Sequence, residues 1–478
     1  MADQLIARST DFNEWYNSVC LKADLAEYGP VRGTMIIKPY GWALWENVQA
    51  ALDKRFKATG HQNAAFPLLI PMSFFEKEAK HVEGFAPELA VVTHGGGEEL
   101  AEPLVIRPTS ETIVGHTYAK WVHSYRDLPI LLNQWNSVVR WEMRTKLFLR
   151  TLEFYWQEGH TAHATAGEAM AEARQMLDVY HDFAVNEAAV PGFPGEKSER
   201  ERFAGADNTF TIEAMMGDGR ALQACTSHFL GQNFAKAFDI RYLDKDNVQQ
   251  YCWTTSWGLS ARFIGAIIMT HGDDAGLILP PRLAPIQVVV VPIYKHEDEK
   301  VTVLEAAAGI AQELGDLGVR VKVDTRDHLT PGYKFNDWEL RGVPVRIEVG
   351  PRDVQSGSMP VARRDRRGKE GKRTLVRGGL AHEIPALLRE IHGALLQRAA
   401  EFRDSNTHDV ANYEEFREAI AGGFARAAWA GDSDEEERLK EETKATLRCI
   451  PFEQPSTLGR CFYTGRPAKQ VAIFGRAY

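Results

Sequence analysis

Apolar residues in the first part of the chain recur with two periods, one typical of helices and one typical of strands. Trp42, Trp45, Val48, Leu52 and Phe56 follow one another at spacings of 3, 3, 4 and 4 residues. That repeat places all five side chains on one face of a long helix. A glycine shortly after the last of them predicts where the helix ends.

Short apolar runs between polar segments predict strands. Two strands are expected in AAFPLLIPM and PLVIRP, before a helix capped near Thr109. Two antiparallel strands joined by a polar turn at Thr145 and Lys146 are predicted by ILLNQWNSVVRWEMR and LRTLEFYWQEGHTAH. A capping box at Thr165 and Glu168 predicts a further helix. A hairpin follows in NTFTIEAMMGDGRALQACTSHFL.

The pattern changes at LPPRLAPIQVVVVPIY, where a proline-rich linker precedes a continuous apolar strand. Strands then alternate with helices, which indicates a small α/β domain with a mixed or parallel sheet. We therefore predict three parts. These are an α+β domain built on an antiparallel sheet flanked by helices (1–283), an α/β domain (284–402) and a small α+β C-terminal module (403–478).

Composition narrows the class of protein. A chain of 478 residues is too long for one core, and its formal net charge of −9 argues against a generally cationic nucleic-acid coat. No apolar run reaches the roughly 20 residues of a membrane span, and the first residues lack the apolar core of a secretory signal. We therefore expect a cytoplasmic protein with no membrane partner. Five scattered cysteines do not suggest a disulfide framework.

The segment VVRWEMRTKLFLRTLEFYWQE carries the most chemistry. Alternate residues of antiparallel strands share a face, so Arg140 and Glu142 are predicted to point the same way, as are Phe154, Trp156 and Glu158 across the turn. With Arg150 and Phe154 they offer cations, a carboxylate and an aromatic plane, which suit the phosphates and base of a nucleotide. Surface ion pairs over packed aromatic side chains are the alternative interpretation.

At these residues the chain resembles class II aminoacyl-tRNA synthetases. Arg-x-Glu, a loop and Arg-x-x-x-Phe-x-x-x-Glu, ending at Glu158, resemble motif 2. The long helix and Pro67 are similar to motif 1, and the resemblance implies a homodimer formed through that helix. TTSWGLSARFIGAIIMTHGDD resembles motif 3, with Arg262 as its arginine, although Ser256 and Ser260 stand where glycines are usual. ATP with Mg²⁺ is the implied cofactor set.

Further segments resemble the prolyl-tRNA synthetase family of the archaeal and eukaryotic-like type. This resemblance covers essentially the whole chain. The segments include IRPTSET, LNQW, FYWQEGHTAHAT, QACTSHFLGQNFAKAF and SWGLSAR. The resemblance implies activation of L-proline by ATP and transfer of the prolyl group to the 3′ end of tRNA(Pro). About 90 residues separate His160 from Cys252, so we expect no internal editing domain of the usual size. Misactivation of alanine and cysteine is expected in consequence.

The resemblance also implies residue roles. Each of these residues also has a purely structural interpretation. In that interpretation Trp156 belongs to the core, His228 is an ordinary strand histidine and Thr109 is a helix cap. The implied catalytic residues are Arg140, Glu142 and Arg262. The implied proline-binding residues are Thr109, Glu111, Arg140, Trp156, Glu158, His160, His228, Ser256 and Gly258. The implied ATP-binding residues are Arg140, Glu142, Arg150, Phe154, Gln223, Thr226, Ser260 and Arg262.

The α/β domain resembles the anticodon-binding domain of several class II synthetases. The resemblance puts Glu339, Arg346 and Asp353 near the anticodon, where arginine and aspartate can make paired contacts to base edges. The run from Arg363 to Arg373, with seven cations, is either a solvated hairpin tip or a finger on a phosphate backbone. An ordinary exposed ion-pair cluster is the alternative for all of them.

Two rival assignments predict different residues in the active site. A threonyl enzyme would be expected to bind zinc in its active site, and an inactive paralogue to lack a motif arginine.

Structural zinc takes four ligands, but only Cys461 falls on a ligand position of related zinc-binding modules, and Cys449 matches a cysteine that is not a ligand. We therefore expect no structural zinc and a module held by apolar packing of Ile450, Phe452, Val471, Ile473 and Phe474. The resemblance also implies that Tyr478 folds back towards the active site.

Overall fold

The computed structural model of the protein describes residues 5–79, 89–142 and 144–478. Within that part, no helix is long and apolar enough to cross a membrane. The helices and strands fall into three groups along the chain.

The first group surrounds the large sheet. It begins with α1 (Phe12–Lys22), β1 (Ala26–Tyr28), β2 (Met35–Ile37), α2 (Pro39–Ala58), β3 (Gln62–Asn63), β4 (Leu69–Pro71) and α3 (Met72–Ala79). It continues with β5 (Ala90–Gly95), β6 (Glu98–Ile106), α4 (Glu111–Trp121), β7 (Ile130–Val139), β8 (Glu153–His163) and α5 (Ala166–Asn186). It ends with β9 (Gly192–Glu196), β10 (Asn208–Met215), β11 (Ala221–Gly231), α6 (Asn233–Phe238), β12 (Arg241–Leu243), β13 (Gln249–Tyr251), β14 (Trp253–Ser260) and α7 (Arg262–His271).

The helix predictions are confirmed in most respects. In α2, Trp45, Val48, Leu52 and Phe56 are buried, while Trp42 is half-buried. The capping box at the start of α5 is present. Helix α4 begins at Glu111 with Ser110 as its N-cap residue, as predicted, but the Ser110 side chain makes no capping hydrogen bond and instead donates its hydroxyl to Glu158.

The predicted strand pair is shorter than the sequence pattern suggested. Strand β7 ends at Val139 and β8 begins at Glu153, so Arg140 and Glu142 lie in the connecting loop. The expectation that strand alternation makes these two side chains share a face is therefore wrong. The hairpin β10–β11 is confirmed, and it turns at residues 217–219.

The second group forms the α/β part. Its elements are β15 (Val288–Pro292), α8 (Glu297–Asp316), β16 (Val321–Val323), α9 (Pro331–Leu340), β17 (Val345–Val349), α10 (Pro351–Ser356), β18 (Ser358–Arg363), β19 (Lys372–Val376) and α11 (Leu380–Ser405). The five strands run in the order β16-β15-β17-β18-β19. The first three are parallel and the last two antiparallel, so the sheet is mixed as expected.

The third group comprises β20 (Thr407–Val410), α12 (Tyr413–Ala419), β21 (Phe424–Trp429), α13 (Ser433–Thr443), β22 (Ala445–Pro451) and β23 (Gln470–Arg476). Ile473 and Phe474 are buried, as expected, but Phe452 is 39% exposed. Additional aromatic side chains, not singled out from the sequence, build the core of this module. They are Phe416, Trp429 and Phe462.

The C-terminal module extends the large sheet. Eleven strands run in the order β20-β21-β23-β22-β9-β10-β11-β14-β8-β7-β3, and β22 joins β9 through the pair Ile450–Glu196. Neighbouring strands are antiparallel except at the two ends of the sheet. In the middle of the sheet, Glu158 on β8 stands opposite Gln134 on β7 and Gly258 on β14.

Buried and half-buried ion pairs connect the three groups. Glu213 on β10 contacts Lys197 Nζ at 2.7 Å and Arg448 of β22 at 2.8 Å. Arg364, after β18, donates to both carboxylate oxygens of Asp273, which follows α7. Because a buried charge is costly without a partner, these pairs fix how the groups pack together.

Candidate active site

A cleft of about 220 Å³ opens over the middle of the large sheet. Its walls come from the strands β8, β10, β11 and β14 and from the loops beside them. The predicted site residues that line it are Thr109, Glu111, Arg140, Phe154, Trp156, Glu158, Gln223, Thr226, His228, Ser256, Gly258, Ser260 and Arg262.

The carboxylate of Glu158 is the centre of a buried hydrogen-bond network. It accepts from the Ser110 N–H at 3.1 Å, Gln134 Nε2 at 2.8 Å and Asn136 Nδ2 at 2.6 Å. His160 Nε2 lies 3.1 Å from its second oxygen. Burial opposes ionisation of Glu158, but His160 and the hydrogen bonds outweigh it and lower the pKa to about 2. The carboxylate is therefore charged and held in one orientation at neutral pH.

The two predicted histidines have opposite electrostatic surroundings. Burial lowers the pKa of His160, but its contact with Glu158 outweighs burial and leaves the pKa raised. Burial lowers the pKa of His228 to about 3, with the charge of His160 adding to the effect. His228 Nδ1 lies 2.9 Å from Thr209 Oγ1. One imidazole thus favours the cation, while the other is neutral.

Thr109 and Glu111 form the neighbouring wall. The Thr109 hydroxyl donates a hydrogen bond to the Glu111 carboxylate. Arg140 donates from Nε to the carbonyl of Pro108 at 3.0 Å. Burial lowers the pKa of Arg140, although Glu111 opposes the shift. The wall therefore combines a carboxylate acceptor with a guanidinium cation.

Aromatic rings surround the guanidinium of Arg140. Its Cζ lies 5.4 Å from the ring centroids of both Phe154 and Trp156, and those two rings meet edge to face. The Nε1 of Trp156 and the Oγ of Ser256 are buried without a hydrogen-bond partner among the described residues. Since buried polar groups are normally satisfied, both are groups that a bound ligand could pair with.

Three arginines lie near one another at the cleft and its adjoining cavity. Arg262 begins α7 and donates from Nε to the carbonyl of Leu149 at 2.9 Å. Burial, followed by the charges of Arg150 and Arg140, lowers the pKa of Arg262 to about 10. Three mutually repelling guanidiniums in one region suit an anionic ligand with several phosphate groups.

Three predicted residues do not line this cleft. Arg150 lines an adjoining cavity that shares Arg262 with the cleft, and its Nε lies 3.6 Å from the Glu142 carboxylate. His160 lies beneath the cleft, in a small cavity beside Glu111. The roles of all the predicted site residues, these three included, remain predictions.

The adjoining cavity has a volume of about 330 Å³ and contains Tyr478. The Tyr478 hydroxyl donates to Asp218 at 2.7 Å. Lys146 Nζ lies 4.8 Å from the ring centroids of both Tyr16 and Tyr478. Burial lowers the pKa of Lys146 to about 8. Tyr478 therefore packs against the loop that carries the predicted motif 2 residues.

Sequence reasoning missed one wall of the cleft. Glu201, Arg202 and Phe203 line it and lie between β9 and β10. The segment is polar and has no apolar period, so the only available signal was an aromatic residue within a charged run.

The predicted anticodon residues separate in the fold. Glu339 and Arg346 line one pocket together with several arginines of the 363–373 run. Arg346 stacks over Phe335 at 4.0 Å from the ring centroid and pairs with Glu348 at 2.9 Å. Asp353 lies outside this pocket, and its carboxylate accepts from the Gly350 N–H at 2.8 Å.

The cysteines of the C-terminal module are both buried but lie in different packing groups. The described residues contain no cluster of three or more His, Cys, Asp or Glu side chains able to hold a metal. The expectation of a zinc-free module remains a prediction.

Comparisons with known families agree with the architecture. A family described as tRNA synthetase class II core domain (G, H, P, S and T) matches residues 93–271. A family described as anticodon binding domain matches residues 287–382. A family described as prolyl-tRNA synthetase, C-terminal, matches residues 413–478. The fold and the cleft thus define a class II aminoacyl-tRNA synthetase.

Individual relatives identify the family within the class II synthetases. A proline–tRNA ligase of Chloroflexus aurantiacus is 61% identical and covers 98% of both chains. A proline–tRNA ligase of Roseiflexus castenholzii is 58% identical, again over 98% of both chains. The chloroplastic/mitochondrial proline–tRNA ligase of Arabidopsis thaliana is 57% identical over 98% of this chain and 88% of that protein. The chain belongs to the prolyl-tRNA synthetase family, which sets the threonyl alternative aside.

Proposed function

We propose that the protein activates L-proline with ATP, releases diphosphate, and transfers the prolyl group to the 3′ end of tRNA(Pro), releasing AMP. The observation that carries the proposal is one cleft lined by Arg140 and Arg262, with Arg150 in the adjoining cavity, and by the buried carboxylates of Glu111 and Glu158. The arginines suit a polyphosphate, and the carboxylates suit a small cationic amine.

Proline would bind beside the carboxylates. Its secondary ammonium can donate two hydrogen bonds, for which Glu111 and Thr109 are acceptors in reach of the cleft. Trp156 and His228 would enclose the ring, with Ser256 and Gly258 beside it. The neutral state of His228 suits contact with an apolar ring. A tight apolar wall discriminates by about 1–3 kcal/mol per methylene group.

ATP would bind beside the arginines. Phe154 offers a ring to the adenine, Gln223 and Thr226 line the same side, and Arg150, Ser260 and Arg262 face the phosphates. As the proline carboxylate attacks the α-phosphorus, Arg140 contacts both reactants and neutralises the developing charge, while Glu142 orients the loop through Arg150. No side chain needs to form a covalent intermediate.

Mg²⁺ would be bound mainly by the nucleotide, since the ion commonly uses few protein carboxylates together with phosphate oxygens. This fits the described residues, which offer no preformed cluster of ligands. When bound, the ion neutralises negative charge on the phosphate oxygens.

The α/β part would read the anticodon. Support comes from the arginine-rich pocket that holds Glu339 and Arg346 and from the matching family. Asp353 is retained as a weaker contact because it lies outside that pocket. We keep the domain limits 1–283, 284–402 and 403–478 as proposals, together with a homodimer formed through α2.

We further propose that the protein is a prolyl-tRNA synthetase of the archaeal and eukaryotic-like type and has no inserted editing domain. Residues 164–252 are taken up by α5, α6 and strands of the sheets, which supports this assignment. Alanine and cysteine would then be misactivated, because smaller side chains enter a proline-sized site. A cytoplasmic location is part of the same proposal.

The test is amino-acid-dependent ATP–diphosphate exchange measured with all twenty amino acids. We expect the highest rate with proline and low rates with alanine and cysteine. Arg140→Ala should lower exchange by about 10³-fold, because one lost transition-state contact costs several kcal/mol. The exposed Arg126→Ala should leave the rate unchanged. Exchange that does not depend on proline would refute the proposal.

A further inference from the structure

One wall of the cleft is attached to the C-terminal module. The connection between β9 and β10 spans residues 197–207, and Glu201, Arg202 and Phe203 within it line the cleft. The ring of Phe203 lies 4.6 Å from the imidazole of His228. The Phe203 N–H donates to Thr209 Oγ1 at 3.0 Å, the hydroxyl that also contacts His228. The position of this segment therefore sets the position of a ring beside the substrate.

The Ser198 hydroxyl joins this wall to helix α13, beside a second, more exposed contact between Arg200 and Glu437. Ser198 Oγ donates to Glu436 Oε1 at 2.9 Å and accepts the backbone N–H of Glu201 at 3.3 Å. Ser198 and Glu436 are both buried, with exposed fractions of 9% and 5%. Because the hydroxyl proton points at Glu436, the oxygen lone pairs are left to face Glu201. The carboxylate thus controls which way the serine hydroxyl is turned.

Burial raises the pKa of Glu436 to about 7, the hydrogen bond from Ser198 opposes the shift, and the charge of Glu201 adds to it. Arg200 and Lys197 oppose the shift from the same wall. The cations around Glu436 have other partners. Arg200 pairs with Glu437 on α13, and Lys197 and Arg448 pair with Glu213.

We propose that Glu436 is a positioning residue for the substrate cleft: its carboxylate, acting through the Ser198 hydroxyl, fixes the backbone of Glu201 and hence the wall that ends at Phe203. This inference rests on the proposed function, because the effect is read as affinity for proline. Protonated Glu436 can donate its own proton to Ser198 Oγ, which turns the serine hydroxyl towards Glu201 N–H and weakens that contact. The wall is therefore fixed most firmly when Glu436 is ionised.

The experiment is proline-dependent ATP–diphosphate exchange from pH 6 to 8.5 with the full chain. In the wild type, the KM for proline should rise as the pH falls through about 7, with kcat changing less. Ser198→Ala, which removes the relay, should raise the KM about tenfold at pH 8, because a misplaced wall weakens binding. Glu436→Gln should raise it about threefold and remove the pH dependence of the KM.

Glu441→Gln, an exposed neighbour on α13, is the matched control and should behave like the wild type. The double variant of Ser198 and Glu436 should be no worse than Ser198→Ala alone, since both changes interrupt one path. A KM for proline within twofold of wild type in Ser198→Ala, or an unchanged pH profile in Glu436→Gln, would overturn the inference. Absence of proline-dependent exchange in the wild type would instead overturn the proposed function.

Stability separates positioning from a merely structural role. The pKa of Glu436 is raised from 4.5 to about 7 in the fold, so the fold loses stability as the pH rises through that window. Glu436→Gln should therefore have a higher Tm than the wild type at pH 8 and an equal Tm at pH 4.5, while binding proline more weakly. A lower Tm at pH 8 with an unchanged KM would show that Glu436 serves only the packing of α13.

Discussion

The active-site cleft and the pocket of the α/β part both concentrate charge, but they hold it in different ways. In the cleft, Glu158 is 3% exposed and takes hydrogen bonds from several fixed donors. In the pocket, Arg367 pairs with Glu339 at 3.3 Å while more than half of the Arg367 side chain is exposed. A buried, fully paired charge is oriented before the ligand arrives, whereas an exposed pair can exchange its partner for a phosphate or a base edge.

Substitutions in the two sites should therefore have different effects on activity and on stability. Loss of a group from the cleft should damage both the reaction and the fold, because its partners stay buried without it. Loss of a group from the pocket should reduce binding of a partner and leave the fold intact. The following variants test this comparison.

The largest effect is expected for Glu158→Gln. The amide turns an NH₂ group towards donors that now lack an acceptor, so proline-dependent exchange should fall by about 10³-fold and the free energy of unfolding by about 3 kcal/mol. Exchange assays and urea unfolding measure the two quantities. The exposed Glu153→Gln on the same strand is the control, and equal behaviour of the two variants would contradict the comparison.

The same network predicts a pH dependence. The folded pKa of Glu158 is lowered from 4.5 to about 2, so its contribution to stability is present above pH 4.5 and is lost as the pH falls towards 2. The unfolding free energy of Glu158→Gln should therefore depend less steeply on pH in this window. Urea unfolding at several acidic pH values checks the slope.

A smaller effect, confined to tRNA, is expected for Arg346→Ala. The KM for tRNA(Pro) should rise about tenfold to a hundredfold, because a lost base contact costs about 1–3 kcal/mol. Exchange without tRNA should stay near wild type, and the Tm should fall by no more than a few degrees, since Arg346 pairs with the half-buried Glu348. Arg352→Ala, an exposed arginine on α10, serves as the control. A loss of exchange activity in Arg346→Ala would show that the two sites are not separable in this way.

Removal of Tyr478 probes the cavity that adjoins the active-site cleft. We expect the KM for ATP to rise about threefold to tenfold, because Lys146 loses one of its two ring contacts and such a contact contributes about 0.5–2 kcal/mol. Tyr478→Phe keeps the ring and loses the hydrogen bond to Asp218, so it should be affected less. Full activity after removal would refute a role for Tyr478 near the active site.

The smallest effect concerns metal. Elemental analysis of the purified protein should find well under one zinc per chain, and Cys461→Ser should change the Tm by no more than a few degrees. Stoichiometric zinc, or unfolding on treatment with a chelator, would overturn the expectation that apolar packing holds the C-terminal module.

Local patterns predicted the parts of the fold that depend on local physics. The period of α2 and the capping box of α5 were readable because neighbouring residues define them. Alternation along β8 correctly placed Phe154, Trp156 and Glu158 on the cleft. The same reasoning failed for Arg140 and Glu142, since the chain leaves the strand at Val139.

Contacts between distant segments could not be read from the sequence. Nothing near Ser198 indicates Glu436, and nothing near Glu196 indicates Ile450 as its strand partner. Phe203 reaches the cleft because its segment is anchored by those distant contacts. The motif residues were found through resemblance, but the wall that completes their site arises only from the assembled fold.

The pairing of β22 with β9 has a consequence for biosynthesis. An unpaired strand edge is a template for association with other chains. While the chain is being made, the outer edge of β9 lacks its partner until residues 445–451 have emerged and β22 has docked. Nascent chains on the same mRNA can therefore aggregate with one another while the α/β part is being synthesised. We expect these chains to need chaperones most during that interval.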